Sequence, residues 1–311
     1  MKTLVTHITS CLLCAGLLCG CGAASASMMV DRSVSVQYEA MGTAASSVGM
    51  VPQTPREAGI TYAVETEVLE SESFSEDGVK LISSRYELPV LRALRRDGET
   101  LETASTPAEE QALLVVNTFN AAFDAWRSEM EDVKDMALAD YELRPEMFLE
   151  YGMYYQDSLT YTVYTTDHLV SVLASTYSYY GGAHPNTGFC SWNFDLDDGA
   201  FLSLPVIAQD EIRFEEAVAA DLARQARAAA LQAETSMAEF YWEDYEDILA
   251  NWTTYTVSFD AGGMTVSYAP YELGCYASGP HVFTLSNEFL EPYLSEYGLA
   301  LLDLERNGTP S

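Results

Sequence analysis

The most regular hydrophobic pattern of the chain lies between residues 106 and 133. Apolar side chains recur there every three or four positions, which places them along one face of an α-helix. They are Val115, Phe119, Phe123, Trp126, Met130 and Val133. Thr106 is a favoured N-cap, Pro107 suits the first helical position, and Glu109 completes a capping-box pattern. We therefore predict one helix that begins at Pro107 and packs its aromatic stripe into the core.

Most of the remaining chain consists of short runs rich in Val, Thr, Tyr and Ser, which favour β-strands. They predict strands at residues 65–72, 79–89, 159–165, 169–180, 190–196, 255–259, 264–268 and 282–285. Gly262 and Gly263 mark a hairpin turn between two of them, and further helices are expected at residues 210–242 and 287–297. This order predicts an α+β fold with antiparallel sheets and packed helices, in two related or tightly joined subdomains.

Residues 1–20 are typical of an export signal. An apolar stretch of about a dozen residues follows a basic start, too short for the roughly 20 residues that span a bilayer. It ends with Leu18 at −3, Gly20 at −1 and Cys21 at +1, which resembles a bacterial lipoprotein signal. We expect a lipid on Cys21 to anchor the chain; ordinary secretion after cleavage at residues 24–26 is the alternative. Both place the mature protein outside the cytoplasm, in the bacterial cell envelope.

Residues 21–58 are rich in small residues and Pro and are predicted to be a flexible tether. The rest divides into an N-terminal α+β companion domain at residues 59–175 and a C-terminal α+β domain at residues 176–305. No other stretch of the sequence is apolar and long enough to predict a transmembrane helix.

The charge of the chain limits the classes of partner. There are 15 Lys and Arg against 47 Asp and Glu, a net charge of −32 at pH 7. Nucleic acids and anionic lipid surfaces are bound through clustered basic side chains, so neither is expected. Contact with the membrane is expected only through the lipid on Cys21. The charge favours a basic partner, and 48% hydrophobic residues exclude a disordered acidic chain.

The cysteines also bear on the fold. Six are present, and three precede Cys21 and would leave with the signal. Cys190 and Cys275 then remain as an even pair in an exported protein. A disulfide between them is one expectation, and two separate buried thiols are the other.

Common catalytic and metal-binding motifs are absent from the sequence. It contains no G-x-S-x-G, no Walker loop and no H-E-x-x-H. His168, His184 and His281 have no partner at metal-ligand spacing, so we expect neither a metal nor a cofactor. The acidic run at residues 195–199 departs from a calcium-binding loop and predicts a turn.

Residues 179–187, with the sequence YYGGAHPNT, have the most distinctive chemistry. Their candidate ligand-binding groups are Tyr179, Tyr180, Gly181, Gly182, His184 and Asn186. The glycines permit positive φ, and the His and Asn place polar groups beside aromatic surface, a combination typical of recognition sites. The alternative is that the His and Asn only fasten the loop to neighbouring backbone.

This segment resembles the first part of the signature Y-x-G-G-A-H-x-N-T…N-F-D-L-x-x-G…L. The rest of the signature is matched by N-F-D-L at residues 193–196, Gly199 and Leu204. The signature belongs to a domain-of-unknown-function family that forms the C-terminal extracellular part of RsiV-type lysozyme-sensing anti-sigma factors and occurs in exported lipoproteins. A second block at residues 264–279 is similar to that family's strand, P-Y-E-aliphatic and x-x-Y-x-x-G segment. Residues 60–175 resemble the companion domain that precedes it.

The resemblance implies helices packed on an antiparallel sheet and adds Tyr271, Glu272 and Tyr276 to the candidate ligand-binding residues. In the anti-sigma members this region clasps lysozyme, a small basic protein. The sequence lacks their transmembrane helix and sigma-binding segment, and also the deacetylase domain found in other members. We therefore do not expect it to be that signalling receptor or that enzyme.

Two hypotheses follow. The first is a non-enzymatic, lipid-anchored binding or sensing module of the envelope, whose ligand is a lysozyme-like protein or peptidoglycan. The second is an envelope hydrolase or esterase acting on cell-wall polymer, with His184 as base and Glu272 or Asp195 as its partner. No nucleophile stands out for the second.

Overall fold

A computed structural model describes residues 53–306. The predictions for residues 1–52, including the export signal, the lipid on Cys21 and most of the tether, lie outside the described residues. Within residues 53–306, none of the helices combines the length and apolar character needed to cross a membrane.

The larger of the two sheets that residues 53–306 form has six strands, which lie side by side in chain order. They are β1 (Thr61–Phe74), β2 (Lys80–Leu94), β3 (Tyr155–Thr165), β4 (Leu169–Tyr179), β5 (Asn186–Asp195) and β6 (Ala200–Phe201). The smaller sheet is an antiparallel meander of β7 (Thr256–Asp260), β8 (Gly263–Tyr268) and β9 (His281–Ser286). The predicted α+β class is confirmed.

One strand pair departs from the predicted antiparallel arrangement. β2 and β3 are parallel over residues 82–86. Parallel neighbours need a crossover connection, and three helices supply it: α1 (Pro107–Ala121), α2 (Asp124–Leu143) and α3 (Pro145–Leu149). The other helices follow the larger sheet: α4 (Glu211–Gln232), α5 (Met237–Phe240), α6 (Tyr245–Leu249), α7 (Asn287–Leu290) and α8 (Glu296–Leu301).

The predicted long helix after Thr106 begins as expected but is broken in two. The Thr106 hydroxyl accepts the N–H of Glu109 at 3.3 Å, as an N-cap should. α1 and α2 are then separated at residues 122–123, where the hydrogen bonds become those of a tighter turn. Side chains of the single predicted stripe therefore pack in two hydrophobic clusters. Phe119 and Phe123 lie in one cluster and Val133 lies in another.

The main core of the larger sheet lies beneath α1. Leu91, Val172 and Phe194 from three strands pack with Val115 and Phe119 of the helix, all at most 3% exposed. Burying such side chains contributes roughly 1.5–3 kcal/mol each. A second core lies between α4 and the smaller sheet and includes Phe214, Val218, Val266 and Phe283.

Buried polar side chains join the two sheets. The Ser171 hydroxyl of β4 donates to Asn193 Oδ1 of β5 at 2.7 Å and accepts the N–H of Phe259 at 2.8 Å. Asn193 Nδ2 donates to the carbonyl of Val257 at 2.9 Å. β7 is therefore held against β4 and β5. The predicted domain boundary between residues 175 and 176 lies inside β4, which runs unbroken from Leu169 to Tyr179.

The last residues of the predicted tether are part of the fold. Pro55 is buried in a turn. Arg56 Nη1 lies 2.9 Å from His168 Nε2 in the β3–β4 turn, and Arg56 Nη2 lies 3.3 Å from Asp197 Oδ1. The chain is thus attached to the end of β4 and β5 where these residues lie.

Candidate functional site

The loop of residues 180–185 connects β4 to β5 and lies at the opposite end of these strands from Arg56. Gly181 and Gly182 have φ of 95° and 103°, which confirms the positive φ expected there and favours glycine. The hydroxyl of Tyr179 donates to the carbonyl of Gly182 at 3.0 Å and closes the turn. Asn186, the first residue of β5, is exposed.

A second loop, residues 269–275, follows β8. Glu272 Oε2 accepts the N–H of Ala269 at 2.7 Å and stabilises the turn. Tyr271 has a φ of 73°, a left-handed conformation that is strained for a residue with a side chain. Trp242 Nε1 donates to the Tyr271 carbonyl at 3.1 Å. The Tyr271 side chain is 51% exposed.

The two loops meet at His184. Its ring stacks on Tyr276 with 3.7 Å between ring centroids, and its Nε2 lies 3.1 Å from the Tyr271 hydroxyl. Because the carbonyl of Pro185, 3.0 Å from Nδ1, can only accept a hydrogen bond, Nδ1 carries the proton. In the neutral ring, Nε2 then accepts from the Tyr271 hydroxyl. We call His184, Tyr271, Tyr276 and Trp242 the aromatic site.

Asp195 does not reach this site. It is the last residue of β5, whereas Asn186 is the first, and nine residues of strand extend roughly 30 Å. Asp195 is 2% exposed, and its Oδ1 accepts the N–H groups of Asp197 and Asp198 at 2.7 and 3.0 Å. It therefore stabilises the β5–β6 turn, and the structure excludes it as the partner of His184.

Tyr180 faces inward, beneath the loop. Its ring packs 5.1 Å from that of Tyr155, and its hydroxyl bonds to the buried Asp157, which also accepts the hydroxyl of Tyr86. Burial raises the pKa of Asp157 and of both tyrosines, and burial is also the main cause of the raised pKa of nearby Glu129. Tyr180 thus supports the loop. Asp157 and Tyr86 were missed from the sequence, because isolated polar residues within strands give no signal.

Two clefts of the described residues lie elsewhere. One of about 490 Å³ beside β1 and α2 is lined by ion-paired side chains, with Arg92 3.2 Å from Glu65 and Arg127 2.9 Å from Asp124. Another, of about 310 Å³, lies near Tyr62. No group of three or more His, Cys, Asp or Glu side chains in residues 53–306 is arranged to hold a metal ion.

Cys190 and Cys275 are both half-buried, and the structure does not bond one to the other. Cys190 lies within β5 opposite Ala174, and Cys275 precedes the turn Tyr276–Ser278. The disulfide expected between them is therefore not part of this structure.

Comparison with known proteins gives structural neighbours only. No family model and no curated protein matches the sequence. A crystal structure of a DUF3298 family member from Bacteroides fragilis has a TM-score of 0.50 and 13% identity, over 77% of this chain and 96% of that one. A DUF3298 family protein from Pseudomonas aeruginosa has a TM-score of 0.41 and 20% identity, over 75% and 95%. The chain is thus similar in fold to a DUF3298 protein.

Proposed function

We propose that this chain is a lipid-anchored binding module of the bacterial cell envelope, related to the RsiV-type C-terminal domains. It captures a small basic protein of the lysozyme kind and performs no catalysis on it. The observation that carries the proposal is the meeting of both signature segments at the aromatic site, where His184 is held between Tyr271 and Tyr276.

The aromatic site has the properties of a protein-binding centre. Tyr and Trp supply large contact areas at a small cost in side-chain entropy and dominate many interfaces. Tyr271 is fixed by the hydrogen bond to His184 and by the Trp242 contact to its carbonyl. Its strained φ is the kind of backbone cost that a binding function explains.

Charge supports a basic ligand. The net charge of −32 attracts cations over distances set by ionic strength. Exposed carboxylates follow Trp242 directly: Glu243, Asp244, Glu246 and Asp247. An apolar centre with an acidic rim is complementary to a basic protein that presents an apolar contact.

The hydrolase alternative has weaker support. Asp195 is at the far end of β5, and the hydrogen bonds of the His184 ring go to Pro185 and Tyr271. Ser278 Oγ lies 3.3 Å from His281 Nε2, but its hydroxyl donates to the carbonyl of Cys275 at 2.6 Å. His281 is also 6% exposed, so this pair is poorly placed to reach a polymeric substrate.

The test is calorimetric titration of the full-length protein, in detergent, with hen lysozyme at about 50 mM and about 150 mM salt. We expect binding at both, and Tyr271→Ala should weaken it by about 30-fold, as for a central aromatic contact. Phe74→Ala is the matched control, because Phe74 is similarly exposed, at 52%, on β1. Binding that disappears at the higher salt, or no binding at all, would refute the proposal.

A further inference from the structure

We infer that residues 143–153, here called the α3 segment, form a second contact zone next to the aromatic site and receive an apolar protrusion of a basic protein partner. This inference rests on the proposed function. It assigns an interaction surface to a part of the chain that neither signature block contains.

The α3 segment exposes an unusual amount of apolar surface. Leu143 and Tyr151 are each 77% exposed, and Leu149 is 58% exposed. Large apolar side chains concentrated on a short surface segment mark interaction sites, whereas scattered ones need no explanation. Met147 and Met153, both half-buried, add flexible side chains that adapt to a partner.

This exposure belongs to an ordered segment. Phe148 is 3% exposed and anchors α3, with its ring 5.6 Å from Tyr141 and 5.8 Å from Tyr155. The Met153 N–H donates to the carbonyl of Met147 at 3.4 Å and closes the segment. The backbone that carries the exposed side chains is therefore anchored before binding, which lowers the entropy cost of forming an interface.

The α3 segment is continuous with the loop that carries His184. A Cβ added to Gly181 would lie 3.0 Å from Met153 Sδ and 3.8 Å from Met147 Cε, so backbone and methionines touch there. Tyr180 packs into the same cluster as these methionines. A partner centred on His184 would therefore reach the α3 segment without crossing a gap.

The negative charge around the α3 segment favours a basic protein as the partner that binds there. Glu142, Glu146 and Glu150 are exposed and alternate with the apolar side chains. Arg144, the basic residue of the segment, is paired with Asp140 at 2.9 Å. A second copy of this chain would bring the same carboxylates together, which is repulsive, whereas a basic protein would meet opposite charge around an apolar contact.

The experiment compares variants of the full-length protein in titration with hen lysozyme at about 150 mM salt. We expect the double variant Leu149→Ser/Tyr151→Ser to weaken binding by about tenfold or more, mainly through faster dissociation, at an unchanged melting temperature. Leu114→Ser/Leu231→Ser is the matched control, since these leucines are 66% and 80% exposed on other helices. It should bind like the wild type.

The outcomes separate the two proposals. Equal affinity of wild type and the α3 variant would overturn the second contact zone and leave the proposed function standing. A wild type that does not bind lysozyme would overturn both. If the double variant melts earlier than the wild type, Leu143→Ser replaces it, and unchanged binding by that variant would equally overturn the inference.

Discussion

At the scale of single residues, the three described histidines have different environments and roles. His184 is at the aromatic site, and His168 contacts Arg56 in the β3–β4 turn. His281 is buried, with its ring 4.8 Å from Tyr241 and 5.3 Å from Phe240, and this burial lowers its pKa. The folded chain therefore favours the neutral form of His281.

His281 should make stability depend on pH. Since its pKa is lower in the folded chain, its contribution is complete above about pH 6.5 and is lost as pH falls through the folded pKa, because the unfolded chain binds the proton first. We expect His281→Gln to flatten the fall in melting temperature between pH 7 and pH 5. Thermal melts of both proteins across that range test this, and parallel curves would contradict it.

The melts of the wild type are needed because two carboxyl groups change the pH dependence of stability in the opposite direction from His281. Burial raises the pKa of Asp157 and of Glu129, so ionising them as pH rises above the ordinary carboxyl range costs stability. Subtracting the curve of the wild type from that of His281→Gln removes their contribution. The difference is then the effect of His281 alone.

Part of the candidate site could be predicted from the sequence. His184, Tyr271 and Tyr276 were candidate ligand-binding residues from two separate sequence blocks, and the structure places them in contact. The inward turn of Tyr180 could not be predicted, because it depends on Asp157 of a different strand. Trp242 was missed for the same reason, since its contact with Tyr271 joins positions 29 residues apart.

At the scale of elements, α1 completes the sheet as well as covering it. The ladder between β2 and β3 covers only residues 82–86, so β2 extends beyond it. At Leu91, where β2 has no β3 partner, the side chain of Asn120 in α1 takes the place of a neighbouring strand. Its Oδ1 accepts the N–H of Leu91 at 2.8 Å, and its Nδ2 donates to the Leu91 carbonyl at 3.1 Å. One amide side chain thus satisfies both backbone groups.

Asn120→Ala should therefore destabilise the protein by about 1–3 kcal/mol, because Leu91 would keep two unsatisfied backbone groups. Thr118→Ala is the control, since Thr118 is half-buried on the same helix and its hydroxyl donates to the carbonyl of Leu114 within that helix. Chemical denaturation of the three proteins gives the comparison. Equal loss of stability in both variants would contradict a specific role of the hydrogen bonds to Leu91, because replacing Asn or Thr by Ala raises helix propensity.

Local sequence patterns predicted where helices and strands form, but they did not predict the break between α1 and α2. The start of α1 follows from Thr106 and Pro107, and the hairpin of β7 and β8 from its glycines. The break at residues 122–123 leaves the hydrophobic spacing intact and could not be read from it. On either side of the break, tertiary contacts place the Phe119 ring against Phe194 and the Phe123 ring against Trp192.

At the scale of the whole molecule, β4 crosses the domain boundary predicted from the sequence. A chain of residues 176–306 would lack β1, β2, β3 and most of β4, and β7 would lose Ser171. We expect this fragment not to unfold cooperatively, because the exposed sheet surface and unpaired strand edges have no cover. Circular dichroism with thermal melting measures this, and a sharp transition would instead support a separate C-terminal domain.

The attachment at Arg56 also sets the direction in which force would travel. A chain held by its N-terminus and loaded at residues 180–185 would be pulled at opposite ends of the same sheet. The hydrogen bonds between strands run across the strand direction. A load along the strands therefore acts on many of these hydrogen bonds at the same time and does not break them one after another. Along the backbone ladder, a load passing from β1 to β4 crosses the short register of residues 82–86. We therefore expect these few residue pairs to be the first part of the ladder to separate.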